Sequence, residues 1–102
     1  MKKVFALIFC LFCLFGMLYS QERQYTTHNK KAIKLFEDAT KYYDTHQNEN
    51  AIALLIKAIK EDSNFVEAQF LLGYVYDDMN QYEPAIHQYQ EVIRINQNFF
   101  PN

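Results

Sequence analysis

At 102 residues the chain has room for one small domain. Its formal charge of −2, with 10 basic against 12 acidic residues, offers no basic stripe to displace counterions, so nucleic acid is excluded as the expected partner. Two glycines leave no phosphate-cradling loop, and three isolated histidines leave no ligand spacing, so no enzyme, cofactor or metal site is expected.

The opening, MKKVFALIFCLFCLFGMLYSQ, sets Lys2 and Lys3 before an apolar run from Val4 to Tyr19 that closes on Ser20-Gln21. A basic start, an apolar core of that size and a small residue before polar sequence describe a secretory signal peptide over 1–20, cleaved near Ser20. The run is shorter than the ~17–25 residues of a spanning helix, so an uncleaved anchor is the alternative and the sole expected route to a membrane. A lipoprotein is disfavoured because Phe9 and Phe12, not small residues, precede Cys10 and Cys13. With both cysteines in the leader, the mature chain forms no disulfide, and the loss of Lys2 and Lys3 makes it more acidic by two charges. The expected destination is the periplasm or cell envelope.

Residues 21–29, QERQYTTHN, are polar and carry no periodic apolar face, which makes them a linker. Thr27 or Asn29 is placed to cap the following helix, and Tyr25 either packs back on it or stands exposed. Ile33, Leu35, Phe36, Ala39, Tyr42 and Tyr43 recur at three- and four-residue spacings and predict a helix over 30–45. After a turn at 46–50, in which Asn48 is the expected cap, Ile52, Leu55, Ile56 and Ile59 predict a second helix over 49–61. Asn64 and Glu67 have the spacing of a capping box for a third helix over 65–79, which is apolar on most sides and should be sandwiched between neighbours. Asn80 is expected in a left-handed turn, and Pro84 fits the first turn of a fourth helix over 82–95. That helix would use Tyr82, Ile86, Tyr89 and Ile93 on one side, with Ala85 and Val92 for close packing.

The two halves repeat. Ala51 and Ala85 stand 34 residues apart, as do the pairs Asn64-Phe65 and Asn98-Phe99. In the second copy Leu72, Gly73 and Tyr76 are followed by Ala85, Tyr89 and Val92; in the first, Leu35, Ala39 and Tyr42 are followed by Ala51, Leu55 and Ala58. This pattern resembles the tetratricopeptide repeat, in which small residues let two antiparallel helices approach and rings fill the space beside them. The resemblance implies an all-α fold: two helix-turn-helix repeats, 31–64 and 65–98, after the signal-peptide helix, with 99–102 opening a possible third. Gln69, Ser63 and Gln97 depart from the family pattern, and in the first copy Asp38 and Asn48 do so as well, which makes the first repeat an atypical, terminal one.

In the family, the first helices of successive repeats line a concave groove that holds an extended peptide or a partner helix. The resemblance carries that role to Ile33, Phe36, Thr40, Tyr43 and Asp44, and to Glu67, Phe70, Tyr74, Asp77 and Asp78. Such a groove is aromatic in the middle and acidic at one edge, which suits a basic or amide-rich protein partner. The same rings serve equally as ordinary core. Without Lys, Arg or Asn at these positions, a clamp for a terminal carboxylate is disfavoured.

A stable stack usually needs about three repeats, so the outer side of the fourth helix, with Ile86 and Ile93, is expected to meet further chain or another copy. The leader and HNKKAIKLF at 28–36 resemble the start of envelope proteins whose repeats precede an OmpA-like peptidoglycan-binding module. That likeness implies an adaptor in a secretion or motility assembly. The alternatives are an N-terminal part of a larger envelope enzyme or peptidoglycan-binding protein, or a small self-associating structural protein.

Overall fold

The computed structural model describes residues 24–99, so the signal-peptide reading of 1–20 lies outside the described residues. Four helices follow one another: α1 (Lys30–Asp44), α2 (Asn48–Glu61), α3 (Val66–Asp78) and α4 (Tyr82–Phe99). Each packs on the next, which makes two helical hairpins laid side by side, and α3 is sandwiched between α2 and α4.

Small side chains permit that stacking. Ala32, Ala39, Ala58 and Ala68 are fully buried in one cluster with Leu55, Phe65, Leu72 and Val75. An alanine at a helix contact brings the two backbones closer than a larger residue would allow, and the longer side chains around it close the remaining space. Tyr76, Leu35 and Phe36 pack against this cluster while staying partly exposed. Tyr42 lies at the surface, beside Asn50, Ala53 and Leu54 of α2.

The two intra-repeat turns are copies of each other at the level of the backbone. His46 and Asn80, also 34 residues apart, both adopt positive φ, 62° and 61°. The His46 N–H donates to the Tyr43 carbonyl and the Gln47 N–H to the Tyr42 carbonyl; Asn80 and Gln81 donate in the same way to Asp77 and Tyr76. These paired bonds are those of a Schellman helix end, which satisfies carbonyls that the last turn leaves free. The left-handed Asn80 was legible in the sequence; its counterpart His46 was not.

Helix starts differ from the sequence expectation. Asn29, one of the two expected candidates, caps α1, its Oδ1 accepting from the Ala32 N–H at 3.0 Å. Asn48 is the first residue of α2 and not its cap, because the Schellman turn consumes Gln47 as the preceding residue. The Asn64–Glu67 capping box does not form. Phe65 occupies the cap position of α3 without a side-chain bond, the Asn64 N–H turns to Asp62 Oδ1 at 2.9 Å, and Glu67 is engaged elsewhere.

Gln69 is buried although the pattern calls for a large apolar side chain, and its Nε2 donates to the Ser63 carbonyl at 2.7 Å. That bond ties α3 to the link between the repeats. The helix α4 runs on through Phe99, past the expected stop at 95, so 96–99 does not repeat the earlier inter-repeat break. Asn96 and Gln97 replace the Asp62-Ser63 pair, whose Asp62 side chain closed that break.

On α4, Tyr82, Ile86 and Ile93 face solvent at 57, 54 and 56% exposure, whereas Ala85 and Ile95 are buried. Tyr89 points away from the first group and packs against α3. No helix among the described residues is long and apolar enough to cross a membrane.

Candidate functional site

Side-by-side hairpins put α1 and α3 next to each other on one face, and the rings they share connect them. The Tyr43 Oη on α1 donates to Asp78 Oδ2 on α3 at 2.7 Å. Tyr43 also meets Tyr74 edge-to-face, with centroids 5.9 Å apart. One turn earlier on α3, Phe70 lies 5.7 Å from the ring of Tyr89, which reaches in from α4. Phe70 and Tyr74 nevertheless remain 54% and 44% exposed, an unusual state for rings already in aromatic contact.

The electrostatics of this end are acidic. Asp77 and Asp78 are exposed at the C-terminal end of α3, whose last turn has no basic residue, and carboxylates there oppose the helix dipole. Among the described residues no ion pair engages either of them; the pairs present join Lys34 and Lys41 to Asp38, Lys31 to Glu61, and Arg94 to Glu91. The hydrogen bond to Asp78 holds the Tyr43 hydroxyl in its protonated form far above the ordinary tyrosine range, with burial and the Asp78 charge adding to the effect. Burial raises Tyr89 in the same direction, helped by Asp77, Tyr74 and Asp78.

The other end of the face is already filled by the chain itself. Tyr25 packs edge-on against both Phe36 and Phe65, with ring centroids 5.5 Å and 5.9 Å away, and those two rings touch each other at 5.3 Å. Next to it the Thr26 N–H donates to Glu67 Oε1 at 3.0 Å, and the Thr26 hydroxyl donates to Glu67 Oε2. The same hydroxyl accepts from the Val66 N–H at 3.1 Å. Thr26 thus does for α3 what a local cap would do, from 40 residues away.

The expected groove residues therefore separate into groups. Tyr43, Phe70, Tyr74, Asp77 and Asp78 form one open cluster. Phe36 and Glu67 form a second, occupied by residues 25–26. Thr40 donates its hydroxyl to the Glu37 carbonyl at 2.6 Å and lies with Ile33 in a shallow cleft lined also by Lys30, Lys34, Lys41 and Glu37, apart from the open cluster. Asp44 is exposed at the end of α1.

Sequence reasoning missed two participants. Tyr89 was read as a repeat position and also forms a wall of the open cluster. Thr26 had no local signal at all, since the helix it caps begins two-fifths of the chain further on.

Consecutive helical hairpins packed side by side define a helical-repeat architecture. Residues 66–99, which are α3, the turn and α4, match the family model described as tetratricopeptide repeat. Across 81 residues the chain is 27% identical to tetratricopeptide repeat protein 17 of Danio rerio, an alignment covering 79% of this chain. The chain spans 7% of the length of that curated relative. Both findings support the tetratricopeptide-repeat family, whose repeats generally mediate protein–protein interaction.

Proposed function

We propose that this chain is an exported scaffold that holds a basic, extended segment of a protein partner on the face made by α1 and α3. One observation carries the reading: Phe70 and Tyr74 stay about half exposed beside two carboxylates that no cation among the described residues neutralises. A Lys or Arg side chain laid across the rings would gain cation–π contact with Tyr74 and charge pairing with Asp77 and Asp78. Selection of a randomised peptide library on the purified chain tests this. Enrichment of Lys and Arg supports it, and enrichment of acidic or uncharged peptides contradicts it.

The exported part of the reading is supported by the leader pattern at 1–20 and tested by sequencing the N-terminus of the protein recovered outside the cytoplasm. A start near Gln21 is the expected result. Membership of a secretion or motility assembly would follow from that location together with the resemblance to OmpA-like envelope proteins.

A second reading has its own observation. Tyr82, Ile86 and Ile93 expose an apolar stripe on α4, which suits self-association or the docking of further repeats. Light scattering distinguishes them: a dimer that Ile86→Glu dissociates supports the first.

A further inference from the structure

The cradle at the Phe36 end of the face already holds a peptide, and that peptide belongs to the chain. Four partners define what it takes. Phe36 and Phe65 receive a ring edge-on, and Glu67 accepts from the next residue's N–H and hydroxyl. The Val66 N–H, at the positive end of α3, donates to that same hydroxyl. What is recognised is an aromatic residue followed by Thr or Ser, in a register that Tyr25-Thr26 supplies.

We propose that this cradle is an exchangeable docking site for an aromatic–Thr/Ser dipeptide in a partner's extended segment, and that Tyr25-Thr26 fills it in cis until such a segment displaces it. The proposal rests on the reading that the face made by α1 and α3 takes protein segments.

Anchoring and exposure set where the exchange occurs. Thr27 is buried, its Oγ1 accepts from the Asn29 N–H at 3.1 Å, and Asn29 caps α1, so the strap is fixed from residue 27 onward. Thr26 and its bonds to Glu67 are exposed, so water competes for them, and the segment before Thr27 swings free without disturbing the Asn29 cap of α1, leaving the Val66 N–H for the incoming hydroxyl. Tethering gives the strap an effective concentration on the order of millimolar, enough to exclude a weak isolated dipeptide. The strap reaches only the cradle. A partner segment that runs on to Tyr43, Tyr74 and Asp78 adds contacts that Tyr25-Thr26 does not make, and this advantage drives displacement.

The test uses a labelled peptide, QERQYTTHN, the chain's own residues 21–29, and fluorescence anisotropy on the full chain. The doubly substituted chain Tyr25→Ala, Thr26→Val should bind the peptide about tenfold or more tighter than wild type, as expected once tethered competition is removed. A further Phe36→Ala substitution should abolish that binding. Equal affinity for wild type and the double variant, with helical circular dichroism unchanged, overturns the proposal.

If the double variant loses helix, the wild type decides. Excess peptide should accelerate hydrogen exchange at the Thr26 amide to a saturating limit, and an unchanged rate overturns the proposal. A wild-type dimer that Tyr25→Ala separates would mean the strap is exchanged between two copies, which overturns occupancy in cis. Tyr74→Ala keeps this peptide and loses only the basic segment of the proposed function, so the two readings fail separately.

Discussion

Gly73 lies directly under the ring of Tyr89: a Cβ at position 73 would stand 2.8 Å from Tyr89 Cε1 and 3.0 Å from Cδ1. The first repeat solves the same contact with the complementary pair, Ala39 and Leu55, both fully buried. A smaller residue on one helix goes with a larger one on the other.

That complementarity makes a testable coupling. Gly73→Ala should gain up to about 1 kcal/mol of helix propensity and lose about 1–3 kcal/mol to overpacking, since Phe70 hems the Tyr89 ring, for a net loss of about 1 kcal/mol. In a Tyr89→Leu background, which recreates the first repeat's pair, Gly73→Ala should stabilise instead. Urea unfolding of the four proteins reads the change of sign.

Ionisation of Tyr43 should set the alkaline limit of the fold. Because the bond to Asp78 raises its pKa, the folded chain favours the neutral phenol. The resulting stability is complete below the unfolded tyrosine value of about 10 and is lost as pH climbs from there toward the higher folded value. Ultraviolet titration should show Tyr43 and Tyr89 ionising above the ordinary tyrosine range, and Tyr43→Phe should remove the latest transition.

The paired left-handed residues predict an asymmetry. His46→Gly should stabilise the chain by about 0.5–1 kcal/mol, because a side chain with a Cβ is strained at φ 62° and glycine is not. Asn80→Gly should gain less, since Asn tolerates this conformation better. Thermal melts of the two variants make the comparison.

The cap that comes from outside its own helix can be separated from the local one. Thr26→Val should cost about 1 kcal/mol, the usual loss for a helix cap, whereas Asn64→Ala should be nearly neutral. The reverse order in chemical denaturation would restore the local capping box.

These residues also mark how far the sequence could be read. The period of 34 and the buried Ala39, Leu55, Leu72 and Gly73 were visible because repeat geometry forces small and large side chains to recur at fixed spacing. The left-handed His46 was hidden because His is not a residue that turn chemistry singles out, although counting back one period from Asn80 would have found it. The extension of α4 through Phe99 was hidden by reading Asn98-Phe99 as a copy of Asn64-Phe65, when the difference lay two residues earlier. The division of the face into an open half and a filled half depends on Tyr25 and Thr26 meeting residues some 40 positions away, which no local pattern encodes.

The most direct test of the central claim is the affinity of one selected basic peptide for the wild-type chain and for a Phe70→Ala, Tyr74→Ala variant of equal helix content. Truncating two rings at the centre of a contact should weaken binding by about tenfold or more, and raising the salt concentration should weaken the wild-type complex through Asp77 and Asp78. Equal affinity for the two proteins, insensitive to salt, would contradict a partner-holding role for the face between α1 and α3.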